Sequence, residues 1–243
     1  MKLDNLGIAC AVAGGAVLAL GQALAWRYAP VEAIMGLPQK ILYCHVPLAW
    51  WSLVAFLLAA VAGALYLRGR KPFWDHLGLA AVESGVILAG LTLLTGMIWG
   101  KYAWGVWWTG DPRLTTFLVL WFMYAGCLML RGAGTASGPE GGRRAALAAS
   151  MSIVAFINVP LVFLSTRLLR SAHPVVLGKQ SGGLEPEMLL TLLVCLAGLG
   201  LIWLGGMLLR LHLAQLRETC ARLEYARLTG AGKTTAAAGG LAP

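Results

Sequence analysis

Six apolar stretches occupy most of this 243-residue chain, and each has about the 20 residues that a helix needs to cross a bilayer. Their limits are Leu6–Ala25, Val46–Leu67, Leu77–Trp99, Leu114–Leu130, Ala145–Thr166 and Met188–Leu209, the fourth being the shortest. Apolar residues run through them continuously, without the alternation of a membrane barrel strand, so each reads as a helix. The expected fold is therefore all-α, a polytopic membrane protein of six transmembrane helices. Only 12% of residues are charged while 59% are hydrophobic, too little charge for the surface of a soluble domain. The 31 glycines fit a bundle whose helix backbones approach closely in lipid. Leu6–Ala25 is too long for the apolar region of a signal peptide and only Lys2 precedes it, so it reads as a retained first helix.

With six spans both termini lie on one side. Of the 19 Lys and Arg residues, 12 fall on that side and 7 on the other. The positive-inside rule then predicts cytoplasmic N and C termini in a bacterial inner membrane. The net charge of +9 is thereby a topology signal with anionic lipid headgroups as neighbours, and not a sign of nucleic-acid binding. This orientation puts His76 and His212 in the cytoplasm and His45 and His173 outside.

Residues 1–210 form the expected membrane domain and 211–243 a cytoplasmic tail. In the tail Leu209, Leu213, Leu216, Cys220 and Leu223 recur in steps of four and three, a stripe along a continuing helix. That stripe either lies against the protein and headgroups or docks a cytoplasmic subunit. From Thr229 the sequence is expected to be disordered, and Arg131–Arg144 reads as a Gly/Ser-rich linker. None of the five cysteines forms a C-x-x-C, which excludes a c-type cytochrome and a thioredoxin-like reductant. Cys10, Cys127 and Cys195 sit within spans as small apolar residues, and Cys44 lies outside beside His45. Within span three, Glu83 is either functional or a paired carboxylate near the interface. Asn158 and Pro160 predict a kink in span five.

The unusual chemistry collects in three outer segments. Tyr43-Cys44-His45-Val46-Pro47 opens span two, with Pro47 suited to a first helical turn. Residues 99–115 link spans three and four, and Ser171-Ala172-His173-Pro174 lies between spans five and six. Four of the ten tryptophans fall within residues 99–108. On a short helix Trp104, Trp107 and Trp108 would share one face. This is either an interfacial aromatic belt or a shelf for a large planar ligand. Asp111-Pro112 has the residues of an N-cap and N1 opening span four. Arg113 can grip a carboxylate through paired hydrogen bonds, and together with Lys101 it would suit the two propionates of haem. His45 and His173 are either plain polar residues or, if they converge, axial ligands to a haem iron.

The run from Trp104 to Thr115, W-G-V-W-W-T-G-D-P-R-L-T, resembles the WWD signature of haem-handling proteins that build c-type cytochromes. With the chain length, six spans and one histidine in each flanking outer loop, the sequence up to Leu209 is similar to the haem exporter protein C (cytochrome c maturation protein C) family. The family's larger members, the F-type synthetase subunit and the fused synthases, carry more spans. The resemblance implies that haem b is held at the outer membrane face. It is then delivered to a periplasmic haem chaperone, protein E. Implied partners are the ABC transporter subunits A and B and the small membrane protein D. It implies His45 and His173 as axial iron ligands, with Trp104, Gly105, Trp107, Trp108, Asp111 and Arg113 on the WWD motif. The chain departs from the pattern in having Gly110 where a tryptophan usually precedes the aspartate, and Leu168 and Leu169 where paired tryptophans often stand.

The chemistry expected is cofactor transfer and not enzymatic bond-making. Rival readings are an electron-transfer cytochrome b, a transition-metal transporter using Cys44, His45, Asp111 and His173, and a haem-free scaffold or permease subunit of an ABC exporter. The first requires histidine pairs deep within spans, and the spans hold none. The metal transporter leaves the tryptophan cluster unexplained.

Overall fold

The computed structural model describes residues 3–33, 35–132, 138–168 and 184–228. They form α1 (Leu3–Arg27), α2 (Leu42–Gly69), α3 (Pro72–Trp104), α4 (Pro112–Gly132), α5 (Gly138–Phe156), α6 (Asn158–Leu168) and α7 (Pro186–Leu228), with a 3-10 segment at Leu37–Ile41 leading into α2. No strand occurs among the described residues. Six stretches are long and apolar enough to cross a membrane, the fifth (Gly141–Ser165) being shared by α5 and α6. The all-α, six-span expectation holds.

The helices overrun the predicted limits. At 33 residues, α3 is about 50 Å long at 1.5 Å per residue, well beyond a hydrocarbon core of about 30 Å. Two starts and stops move as a result. Helix α3 continues past Trp99 to Trp104, because nothing interrupts it before Gly105. Helix α2 builds on the 3-10 segment opened by Pro38, so Pro47 lies inside the helix and not in its first turn. Thr229–Pro243 and His173 lie outside the described residues.

Helix α1 packs almost wholly along α7, running antiparallel to it. The contact is a seam of glycines seven residues apart on α1. A Cβ on Gly14 would lie 2.6 Å from the Ile202 amide nitrogen, and one on Gly21 would lie 2.6 Å from Cys195 Sγ. From the other side, a Cβ on Gly198 would lie 2.5 Å from the Leu18 nitrogen, and one on Gly205 2.6 Å from the Gly7 carbonyl oxygen. Backbones this close gain dispersion contacts along their whole length, which substitutes for the hydrophobic drive that lipid removes. Lys40 joins the 3-10 segment to the end of α1, donating to Ala25 O at 2.5 Å, where a cation meets the negative end of the helix.

Helix α2 is central, packing on α3, α5 and α7. The main core joins Phe56 of α2, Ala81 of α3, Leu120 and Tyr124 of α4, Ala155 of α5 and Val162 of α6. Tyr124 stacks on Phe56 with centroids 3.9 Å apart. Its hydroxyl lies 3.2 Å from Phe56 O and 3.0 Å from Ser152 O, so its proton is shared between two neighbouring helices. Indole N–H groups make similar ties: Trp51 to Leu196 O at 2.9 Å, Trp121 to Val86 O at 3.0 Å, and Trp203 to Ser84 Oγ at 3.1 Å.

The fifth span is broken where Asn158 and Pro160 predicted. Ile157 leaves the helix with a short N–H bond back to Val154 O (3.1 Å), and Pro160 has no N–H to continue the ladder. Asn158 turns its amide onto Thr116 O of α4 at 2.8 Å. Glu83 is the paired carboxylate, bound by Arg210 of α7, whose Nε lies 2.7 Å away. Arg131 holds Asp75 through two bonds, of 2.5 and 2.9 Å. Both ion pairs lie at the end of the bundle where α1 begins.

The glycine seam makes a sharp prediction. Gly198→Ala should destabilise the detergent-solubilised protein by about 1–3 kcal/mol through overpacking. Gly15→Ala, where nothing lies within 4 Å of the added carbon, should be neutral or slightly stabilising. Thermal unfolding followed by tryptophan fluorescence reads both. Equal effects would mean that the seam does not set the α1–α7 distance.

Candidate functional site

The opposite end of the bundle gathers the start of α2, the last turns of α3, the connection through residues 105–111 and the start of α4. His45 lies in the first turn of α2 and its ring rests on α3. Nδ1 is 2.9 Å from Thr95 Oγ1, and that hydroxyl is in turn 2.8 Å from Leu91 O and 3.1 Å from Thr92 O. A Cβ added at Gly96 would lie 3.0 Å from His45 Cε1, so the imidazole sits against bare backbone.

Trp99 follows Thr95 by four residues and therefore lies on the same face of α3. Its ring meets Trp104 edge to face, with centroids 4.9 Å apart and planes at 82°. Trp104 covers Gly100, where an added Cβ would be 3.3 Å from Cε3 of the indole. The helix then stops at Gly105, which has φ of 76° and returns its N–H to Lys101 O at 3.1 Å. Glycine adopts this left-handed cap without the roughly 1–2 kcal/mol strain of other residues. Lys101 Nζ donates to Gly105 O at 2.9 Å, closing the same cap.

This stop corrects the expected helical shelf. Trp104 ends α3 while Trp107 and Trp108 belong to the irregular connection, so the three do not share a helix face. Trp107 is 55% exposed, whereas Trp104 and Trp108 are half-buried. Gly110, at the position where the WWD pattern usually has a tryptophan, has φ of 71°. The chain turns there in a conformation that glycine adopts readily and an indole-bearing residue would not.

Asp111 behaves as the predicted N-cap. It is 6% exposed, its Oδ1 accepts the Arg113 N–H at 2.9 Å, and its carbonyl accepts the Thr115 N–H at 2.9 Å. Arg113, half-buried at the first turn of α4, lies within electrostatic reach of Asp111. One buried carboxylate thus fixes where α4 starts and sets a negative charge within reach of the guanidinium. The structure brings His45, Trp99, Trp104, Lys101, Asp111 and Arg113 to one end. His173 and the Leu169–Pro174 stretch before and around it lie outside the described residues. Among the described residues no group of three or more His, Cys, Asp and Glu could hold a metal ion.

Sequence reasoning missed Thr95 and Gly96. Span three also carries Ser84-Gly85 and Thr92, so nothing local set this pair apart.

The family described as "Heme exporter protein C" matches residues 3–226. The chain is 33% identical over 196 residues to the heme exporter protein C of Bradyrhizobium diazoefficiens, covering 80% of this chain and 71% of that protein. It is 29% identical over 212 residues to the heme exporter protein C of Haemophilus influenzae, covering 84% and 82%. A putative cytochrome c biosynthesis ccmC-like mitochondrial protein of Marchantia polymorpha is 31% identical over 145 residues, 60% of this chain and 59% of that one.

Capping and charge at Asp111 can be separated. Asp111→Ala should lower stability by about 1 kcal/mol through loss of the cap, while Asp111→Asn, an equally good N-cap, should leave it near wild type. Thermal unfolding of both variants is the check; equal losses would point to the charge beside Arg113 as the controlling feature.

Proposed function

The chain belongs to the haem exporter protein C family, and from that membership we propose that it holds haem b at the outer face of the inner membrane. It hands the haem to a periplasmic haem chaperone, protein E, during assembly of c-type cytochromes. The observation that carries this reading is His45. A side chain that could have swung freely at a helix start is instead fixed against α3 by Thr95, at 2.9 Å. It lies at the end of the bundle that also holds the tryptophans and Arg113.

The residues present fit haem by their chemistry. Neutral imidazole is a good iron ligand, so His45 serves as one axial ligand and His173 as the second. Trp107 offers an exposed indole face for a porphyrin ring or for the chaperone that receives it, with Trp104, Trp108 and Gly105 shaping the turn that carries it. Arg113 and Lys101 supply cations for two propionates, as bidentate fork and point charge respectively. Asp111 acts indirectly, by fixing Arg113 at the start of α4.

The chain's part in transfer is to bind, orient and let go, and it needs no acid–base catalyst. The 12-to-7 distribution of basic residues supports cytoplasmic termini and a site on the periplasmic side. The ABC transporter subunits A and B and the small protein D complete the assembly in this reading.

The test is an absorption spectrum of the detergent-purified protein with pyridine-haemochrome quantification, beside His45→Ala and His173→Ala. A six-coordinate low-spin b-type spectrum is expected, altered in both variants with most of the haem lost. Absence of haem from folded protein supplied with it would overturn the reading in favour of a haem-free scaffold or a metal transporter. Trp107→Ala should retain haem yet slow its transfer to the chaperone, measured by the rate at which the chaperone acquires bound haem. An unchanged rate would remove Trp107 from the transfer surface.

A further inference from the structure

The contacts around Thr95 decide where the proton of His45 sits. Its hydroxyl oxygen touches three partners at hydrogen-bonding distance: Leu91 O at 2.8 Å, Thr92 O at 3.1 Å and His45 Nδ1 at 2.9 Å. A hydroxyl carries one proton and can accept through its lone pairs. If that proton went to Nδ1, the hydroxyl oxygen would face two carbonyl oxygens at hydrogen-bonding distance with no proton between them, which is repulsive. If it points to the carbonyls, every contact is attractive, and Nδ1 must then be the donor. Donation to the carbonyls also polarises the hydroxyl and makes it a better acceptor.

We infer that Thr95 is a positioning residue that fixes His45 as the Nδ1–H tautomer and directs the Nε2 lone pair to the haem iron. The inference rests on the proposed ligand role of His45 and adds to it the residue that prepares the ligand. Gly96 supplies the second constraint. With a would-be Cβ only 3.0 Å from Cε1, a side chain there would shift the imidazole by a few tenths of an ångström. A hydroxyl and a hydrogen on successive residues of α3 therefore set the tautomer and the position of a ring carried by α2.

The choice of acceptor has a consequence for release. A carboxylate partner raises the basicity of a ligating histidine and strengthens its hold on the metal. A threonine hydroxyl is neutral and already donating elsewhere, so it orients the ring while adding little basicity. That suits a ligand that has to let its cargo go.

The tautomer can be read without haem. The haem-free protein is labelled with 15N-histidine and the His45 resonances are assigned by their loss in His45→Ala. Wild type and Thr95→Ser should show Nδ1 protonated and Nε2 without a proton. Thr95→Val, close in shape but lacking the hydroxyl, should lose that preference. In haem titrations Thr95→Val should bind on the order of tenfold more weakly, the low end of what second-layer partners contribute to metal affinity, and Thr95→Ser should restore binding. Gly96→Ala should keep the tautomer signature and still lose affinity.

A wild-type His45 protonated at Nε2 overturns the inference, and that measurement needs no Thr95 or Gly96 variant, only His45→Ala as the reference for assignment. So does a Thr95→Val protein with unchanged tautomer, or one with changed tautomer and undiminished haem binding. Failure of the ligand reading looks different: His45→Ala would bind haem normally while the tautomer stayed as stated here.

Discussion

Within hydrocarbon a polar group has no water to turn to, and the largest donors in this bundle are spent on another helix. Trp51, Trp121, Tyr124 and Asn158 each send a donor to a backbone carbonyl of a neighbouring helix. These bonds do two things at once. They satisfy groups whose burial would otherwise be costly, and they fix the register of one helix on the next where apolar packing alone would allow sliding. Asn158 shows both effects: it sits at the break between α5 and α6 and ties that break to α4. The glycine seam between α1 and α7 is the complementary device, with close approach in place of directed bonds.

The site inherits its geometry from this arrangement. His45 is held by α3 through the same kind of cross-helix bond, made to a threonine hydroxyl instead of a carbonyl. Because α3 runs on to Trp104, Trp99 and the Trp104 ring are carried on a helix end, while Gly105 and Gly110 turn the chain so that Trp107 faces outward. Asp111 then restarts helical structure one residue before Pro112 and sets Arg113. A rigid helix end, two glycine turns and a capped restart are a compact way to present an aromatic side chain beside a cation.

How much of this was legible in the sequence follows from the range of the forces involved. The six spans were readable because bilayer thickness acts on each segment by itself. The Asp111 cap, the kink at Asn158 and Pro160, and the pairing option for Glu83 were readable because caps and breaks are local, and because a charge near lipid seeks a partner. Helix ends were not: apolar periodicity says nothing about how far a helix projects beyond the hydrocarbon, so α3 was stopped too early and Trp104, Trp107 and Trp108 were given a common face. Thr95 was out of reach for another reason. Its partner is 50 residues away, and no spacing rule within a helix links the two. The second histidine falls in residues 169–183, outside the described part of the chain, so convergence with His45 still stands on the resemblance alone.

The two ends of the bundle differ in the kind of bond that closes them. Where α1 begins, Arg131 with Asp75 and Arg210 with Glu83 join α3 to α4 and to α7 by full charges. At the other end the described ties are of other kinds: His45 to a hydroxyl, Lys101 to the Gly105 carbonyl, and Arg113 beside the Asp111 carboxylate. Ion pairs at the first end hold α3 against its neighbours, so the far turns of the same helix project from an anchored base. An ammonium has three donors and a guanidinium five, so Lys101 and Arg113 have donor capacity beyond the single bond that Lys101 gives to Gly105 O. A site that must take up an anionic, planar cargo and then give it away needs that combination: an anchored support and ligands that are oriented without being saturated.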